Sequence, residues 1–213
     1  MDIKSDTIVT IGRQFGSGGR VVGHRLAERL GINYYDRKIL TRAASESGIR
    51  GEFFEKMDEK PSQSIFMSFA GMFSAGTTIL PGNDYLSGES LFKMQSDAIR
   101  SAASEGGCVF VGRCADYVLR DYPDRFDIFV CADMDDRIAR AMAYDDKLTP
   151  DAARQLIAHT DKTRAAFYNY YTDKVWGEAA SYHLCVNSSL LSPEECVDYI
   201  INFIERVQHS ASK

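Results

Sequence analysis

The residues whose types and spacing best suit chemistry sit together near the start of the chain: Gly16, Ser17, Gly18, Gly19 and Arg20, with Arg13 just ahead of them. Glycine lets oxygen atoms approach the main chain without a Cβ in the way and lets the backbone take positive φ. Backbone N–H groups at such a turn, leading into the N-terminus of a helix, face an anion, and phosphate is the usual occupant. A plain strand-to-helix turn with no ligand is the alternative for the same residues. The strict phosphate-loop pattern G-x-x-x-x-G-K-[ST] is not met. Aligned on Gly18, it finds Arg13 in place of the first glycine, Gly19 in place of the lysine and Arg20 in place of the serine or threonine.

Other chemistries find little support. His24, His159, His183 and His209 lack a metal spacing such as H-E-x-x-H, and no G-x-S-x-G nucleophile turn occurs. Cys108, Cys114, Cys131, Cys185 and Cys196 form no C-x-x-C pair, and several lie in apolar runs where a reduced thiol acts as a small hydrophobe. The net charge of -5 argues against a nucleic-acid partner bound through a broad basic face, while leaving room for arginines around a small anion. With no basic-then-apolar leader and no apolar stretch near the roughly 18 residues of a span, no membrane partner is expected, and a reducing cytoplasm is the expected compartment.

The elements that must position the glycine turn alternate between two periodicities. Thr7–Ile11 is a short β-branched run that feeds the turn, and Val22, Leu26 and Leu30 then recur at helical spacing up to Gly31. Residues 32–35 read as a second strand ending at Asp36, followed by a helix over 38–47. A helical pattern from Leu91 to Ser104 leads to a strand at 108–111, and further strands are predicted over 126–131 and 182–186. Between those two, residues 135–144 and 150–171 read as arginine-rich helices, the second capped by Thr149. Ser192-Pro193-Glu194-Glu195 opens the last helix with a capping box. Strands alternating with helices imply an α/β fold with a mostly parallel sheet covered on both faces. Residues 53–88, with Met and Phe set among Ser and Gly, read as an insertion: a packed or oligomer-forming helix, or a flap over a substrate. Its apolar residues are a candidate contact surface for a homo-oligomer.

The segment from Ile11 to Gly31, with Tyr35-Asp36, resembles the opening of the cytidylate kinase-like family. Val111-Gly112-Arg113-Cys114-Ala115-Asp116, Asp161 to Arg164 running on to Tyr170-Tyr171 and Trp176-Gly177, and Asn187-Ser188-Ser189 resemble it further along. The resemblance implies a single P-loop kinase-like domain: a P-loop NTPase-type three-layer sandwich with a five-stranded parallel sheet, an acceptor-binding insert and a helical lid. The expected core is 1–50, 89–146 and 180–213, the insert 51–88 and the lid 147–179. ATP as phosphate donor, Mg2+ and nucleotide substrates are implied with it. By position, Gly16 to Arg20 would hold donor phosphates, and Asp36 and Arg113 the acceptor. Asp161 and Arg164 match a D-x-x-R element that contacts the acceptor, with Arg164 also reaching the transferred phosphate.

Each of these residues has a plainer reading. Asp36 equally suits an N-cap, Asp116 a cap or a magnesium ligand, and Asp161 with Arg164 a surface ion pair one turn apart. Arg137 and Arg140 invite the same caution. Arg113 stands at a strand end, where open α/β sheets place ligands. The pattern also departs from the family: Gly19 replaces the lysine, the hydroxyl that helps hold magnesium is absent at Arg20 and at Val21, and Cys114 replaces an aspartate. Arg20 or Arg13 could supply the missing charge, since guanidinium binds phosphate in a bidentate manner. Two functions therefore stand side by side: ATP-dependent phosphoryl transfer to a CMP- or dCMP-like monophosphate or another small acceptor, with Arg20, Arg113 and Arg164 as catalytic candidates, or a non-catalytic nucleotide- or phosphometabolite-binding protein.

Overall fold

The computed structural model describes residues 3–36 and 88–211. The chain divides into two compact units, residues 1–37 with 99–213, and residues 38–98. The helix expected over 38–47 and nearly all of the insertion lie outside the described residues; of the second unit, the described part is the start of a helix from Gly88.

The first unit is built on a five-stranded parallel sheet in the order β2-β3-β1-β4-β5. The strands are β1 (Ile8–Arg13), β2 (Asn33–Tyr35), β3 (Cys108–Val111), β4 (Arg125–Cys131) and β5 (Leu184–Asn187). The central strands β1, β3 and β4 are buried nearly throughout, which is why they read as continuous apolar runs without alternation. The helices are α1 (Gly19–Leu30), α2 (Gly88–Ser104), α3 (Ala115–Val118), α4 (Met134–Tyr144), α5 (Pro150–Thr172) and α6 (Pro193–Ala211).

One face of the sheet is sealed by α1 and α6. Val9 and Ile11, Val109 and Val111, Ile128 and Val130 meet Val22 and Leu26 from α1 and Val197, Ile200 and Ile204 from α6. Burying one such side chain contributes about 2 kcal/mol. Arg29 holds Asp198 at 2.8 Å across the two helices, and Arg25 pairs with Glu194. The capping box is present as expected: Ser192 N–H donates to Glu195 Oε2 at 2.8 Å and Glu195 N–H to Ser192 Oγ at 3.3 Å. On the opposite face Phe129 of β4 packs against Tyr182 and Trp176, and Tyr182 in turn against Tyr168 of α5.

Two differences from the sequence reading bear on function. β1 runs two residues beyond its apolar stretch, so Gly12 and Arg13 pair with Phe129 and Val130 inside the sheet and Arg13 is a strand end, not a loop residue. β5 begins at Leu184, because Ala179–Ser181 form a short 3-10 turn and Tyr182 turns inward onto Phe129.

Candidate functional site

The glycine turn leaves the end of β1, at the sheet's center and on the carboxyl edge where α/β sheets bind ligands. Gln14 ties its first residue to β4: its N–H donates to the Val130 carbonyl at 3.1 Å, and its side-chain oxygen accepts from Ala132 N–H at 3.1 Å. At Gly16 the chain takes φ 77°, and a Cβ would sit 2.8 Å from the Arg137 carbonyl oxygen. Conformation and space both demand glycine there. Ser17 is fully buried and its hydroxyl turns back to the Gln14 carbonyl at 3.0 Å. The turn's own carbonyls are engaged as well: Gly16 O accepts from Arg140 at 3.3 Å and Ser17 O from the Ser188 hydroxyl at 2.6 Å. Arg140 fastens Ser188 through its carbonyl at 2.8 Å and its hydroxyl at 3.0 Å. Among the described residues, no acceptor meets the N–H groups of Gly16, Gly18, Gly19 or Arg20. A turn with bound carbonyls and unfilled donors at a helix N-terminus has the geometry of an anion cradle.

Helices α4 and α5 are locked onto this turn. Phe15 N–H donates to Asp161 Oδ1 at 2.8 Å, the Arg137 Nε–H donates to the Phe15 carbonyl at 2.7 Å, and the Arg137 guanidinium pairs with the second Asp161 oxygen. Arg137 is almost wholly buried. The Phe15 ring joins the cluster of Ile138, Ala141, Ala153 and Ile157 that joins α4 to α5. Arg164 donates to the Arg13 carbonyl at 3.0 Å and lies over the Phe15 ring. Thus Asp161 and Arg164 are brought to the loop, as separate anchors of its backbone and not as an ion pair one turn apart. Arg137 and Arg140, one helical turn apart on α4, grip the same turn from one face of that helix. The sequence signal available for them was their spacing alone.

Besides Arg137 and Arg140, four arginines stand near the cradle: Arg13, Arg20, Arg113 and Arg164. Arg13 leaves β1 between Gly19 and Gly112: a Cβ at Gly19 would lie 2.6 Å from the Arg13 Cβ, and one at Gly112 would lie 2.8 Å from its Cζ. Arg13 Nε is buried and without a partner among the described residues. Burial first, and then the charge of Arg164, push the Arg13 guanidinium down to about 9. Burial likewise pushes Arg164 down to about 10, with Asp161 opposing and Arg137 and Arg113 reinforcing the shift. Arg113 stands at the end of β3 in a run of three left-handed residues, Gly112 (φ 79°), Arg113 (φ 66°) and Cys114 (φ 55°). Left-handed conformations at two non-glycine residues cost about 1–3 kcal/mol each and mark positions fixed by their surroundings. Arg20 is mostly exposed and bonds Asp36 at 2.8 Å, which gives Asp36 a cationic partner at the end of β2.

Asp116 is buried below this edge, accepting from the Tyr168 hydroxyl at 2.6 Å with Lys174 at 3.4 Å. Burial raises its pKa and Asp127 adds to the rise, against the Tyr168 hydrogen bond and Lys174. The Cys114 thiol, in place of an aspartate, is pushed by burial to about 12 and is chemically quiet. Among the described residues, no three His, Cys, Asp or Glu side chains converge to hold a metal, and no helix is long and apolar enough to cross a membrane.

A parallel sheet in the order 2-3-1-4-5 with a phosphate-type turn leaving its central strand defines a P-loop kinase-type α/β fold. The cytidylate kinase-like family matches residues 8–190, and the chain belongs to it. Among solved structures, an uncharacterized protein from Eubacterium ventriosum is similar at 24% identity with a TM-score of 0.70, over 93% of this chain and 98% of that one. A gluconokinase from Sinorhizobium meliloti is similar at 14% identity and TM-score 0.55, over 98% and 97% of the two chains. A shikimate kinase from Acinetobacter baumannii in complex with shikimate gives 15% and 0.51, over 94% and 93%. At these identities the likeness is one of fold. No curated protein matches the sequence.

Proposed function

We propose that this chain transfers the γ-phosphoryl group of ATP to a nucleoside monophosphate, CMP- or dCMP-like, or to another small acceptor. The observation that carries the reading is the cradle at 16–20: N–H donors without acceptors among the described residues, ringed by arginines from β1, the end of β3 and α5. Phosphoryl transfer asks little covalent chemistry of a protein. It asks for alignment and for positive charge around three equatorial oxygens.

In this reading Gly16 to Arg20 hold the donor phosphates. Asp36 and Arg113, at the ends of β2 and β3, face the acceptor side, and Arg164 reaches between the two. An acceptor phosphate oxygen attacks the γ-phosphorus, a new P–O bond forms, and the bond to the β–γ bridging oxygen breaks with its electron pair leaving on ADP. Asp161 acts on the loop as a positioning residue, through Phe15 N–H and Arg137. Magnesium accompanies ATP in such reactions, but the described residues fit it poorly. Neither Arg20 nor Val21, after the position of the missing lysine, carries a hydroxyl that would help, and Ser17 Oγ is turned to Gln14. Oxygens of the nucleotide and of water suit that ion better than any group here.

The experiment is an acceptor panel with ATP and magnesium: CMP, dCMP, UMP and AMP, with shikimate and gluconate added because the fold also occurs in kinases named for them. ADP formation that depends on one acceptor supports the reading. ATP binding by calorimetry with no ADP from any acceptor favors the binding-protein alternative, which the absent loop lysine and hydroxyl recommend.

A further inference from the structure

The loop lacks its lysine at Gly19 and also lacks its first glycine, which is Arg13. The structure ties the two departures together. The Arg13 side chain crosses directly over Gly19, so any side chain at 19 would meet it: a Cβ there lies 2.6 Å from the Arg13 Cβ and 3.3 Å from Val130 Cβ. Gly112 makes the second half of the channel, its missing Cβ leaving room for the guanidinium. We infer that Arg13 and Gly19 are a reciprocal exchange, in which the cation that meets the transferring phosphate has moved from the first turn of α1 to the end of β1. This rests on the proposed phosphoryl transfer and names the residue that carries its charge.

Three observations favor Arg13 over Arg20. Arg20 is already bonded to Asp36 at 2.8 Å and is mostly exposed, so its charge is neutralised and screened. Arg13 makes no side-chain hydrogen bond among the described residues, and its Nε is buried. The charged and titratable groups around it are Arg164 and Arg20, which repel it, and Tyr34 and Asp36, which favor its charge. A partly buried cation with its Nε out of water, beside two other cations, is a poor arrangement until an anion arrives. Arg13 is also fixed by the sheet, since its main chain pairs with Val130 and its carbonyl accepts from Arg164. It is therefore preorganised in the way a transition-state group should be.

The test is a charge swap read by two assays: ATP binding by calorimetry without acceptor, and ADP formation with the acceptor found above. Arg13→Gln, close in size and uncharged, should lower kcat about 100-fold or more and weaken ATP binding at least about tenfold. Arg13→Lys should retain part of both. Gly19→Lys alone should lose activity by collision with Arg13. The double variant Arg13→Gly with Gly19→Lys rebuilds the common loop and should recover to within about tenfold of wild type. Circular dichroism establishes that each variant is folded. Wild-type turnover by folded R13Q, or a folded double variant no better than the worse single, overturns the inference. Failure of the wild-type protein to bind ATP would instead sink the functional reading beneath it.

Discussion

At Gly16 and Gly19 the absence of a side chain is a spatial requirement, imposed by the Arg137 backbone at the first and by the Arg13 Cβ at the second, while Gly112 is required by its left-handed φ of 79°. Gly16→Ala would place a Cβ against the Arg137 carbonyl in a left-handed conformation, costing about 1–2 kcal/mol from φ alone. The loop would shift, and the rate of phosphoryl transfer should fall about 100-fold, checked by steady-state kinetics. Asp116 yields a pH prediction. Its pKa is raised in the folded state, chiefly by burial, so the protonated form favors folding: the stabilisation is complete below the usual carboxylate range and is lost as pH rises through the higher folded pKa. Tyr168, Lys174 and Asp127 are the groups that face it. Asp116→Asn keeps an acceptor for the Tyr168 hydroxyl, so as pH rises from the usual carboxylate range toward neutrality its melting temperature in a thermal scan should fall less than that of wild type. An equal fall in both proteins would contradict the assignment. At this scale the sequence made the glycine turn legible because glycine has few reasons to cluster. It hid the coupling of Arg13 to Gly19, since that depends on β1 continuing past its apolar run.

Among the elements, α5 was expected as part of a lid, and its inner residues Asp161 and Arg164 grip the loop backbone from 146 and 151 residues away in sequence. Such long-range bonds carry no periodic signature, so the sequence offered an acceptor contact by resemblance, or a local ion pair from the i, i+3 spacing of Asp161 and Arg164, and not an anchor of the loop backbone. The consequence is measurable. Asp161→Ala leaves the Phe15 N–H and the buried Arg137 without their carboxylate and should cost about 3 kcal/mol in urea unfolding. Asp161→Asn retains an acceptor for Phe15 and should cost less, while still raising the KM for ATP because the loop loses its ion-paired anchor. Equal stability of Asp161→Ala and wild type would show that the anchor is dispensable. By contrast, the helix starts at Thr149 and Ser192 were legible because caps are local: the Thr149 hydroxyl accepts from Ala152 N–H at 3.3 Å, and the Ser192 box is present.

For the whole molecule, alternation of strands and helices was enough to imply the parallel sheet, and the handedness of crossovers leaves few ways to assemble one. The five strands were located to within two residues at every end, since buried parallel strands are short, apolar and punctuated by glycine. Fold and family therefore follow from chain-wide pattern, whereas the reaction rests on a handful of side chains at one sheet edge. The acceptor is a property of residues facing that edge, and Asp36, Arg113 and Arg164 are the groups proposed to select it. The most direct measurement is the fate of label from γ-labelled ATP incubated with the protein, magnesium and each acceptor. Label is expected in a new phosphorylated acceptor, in one-to-one ratio with ADP, and should appear about 100-fold more slowly in R13Q. Label found only in ATP or inorganic phosphate, with ATP binding intact, would contradict the proposed transfer.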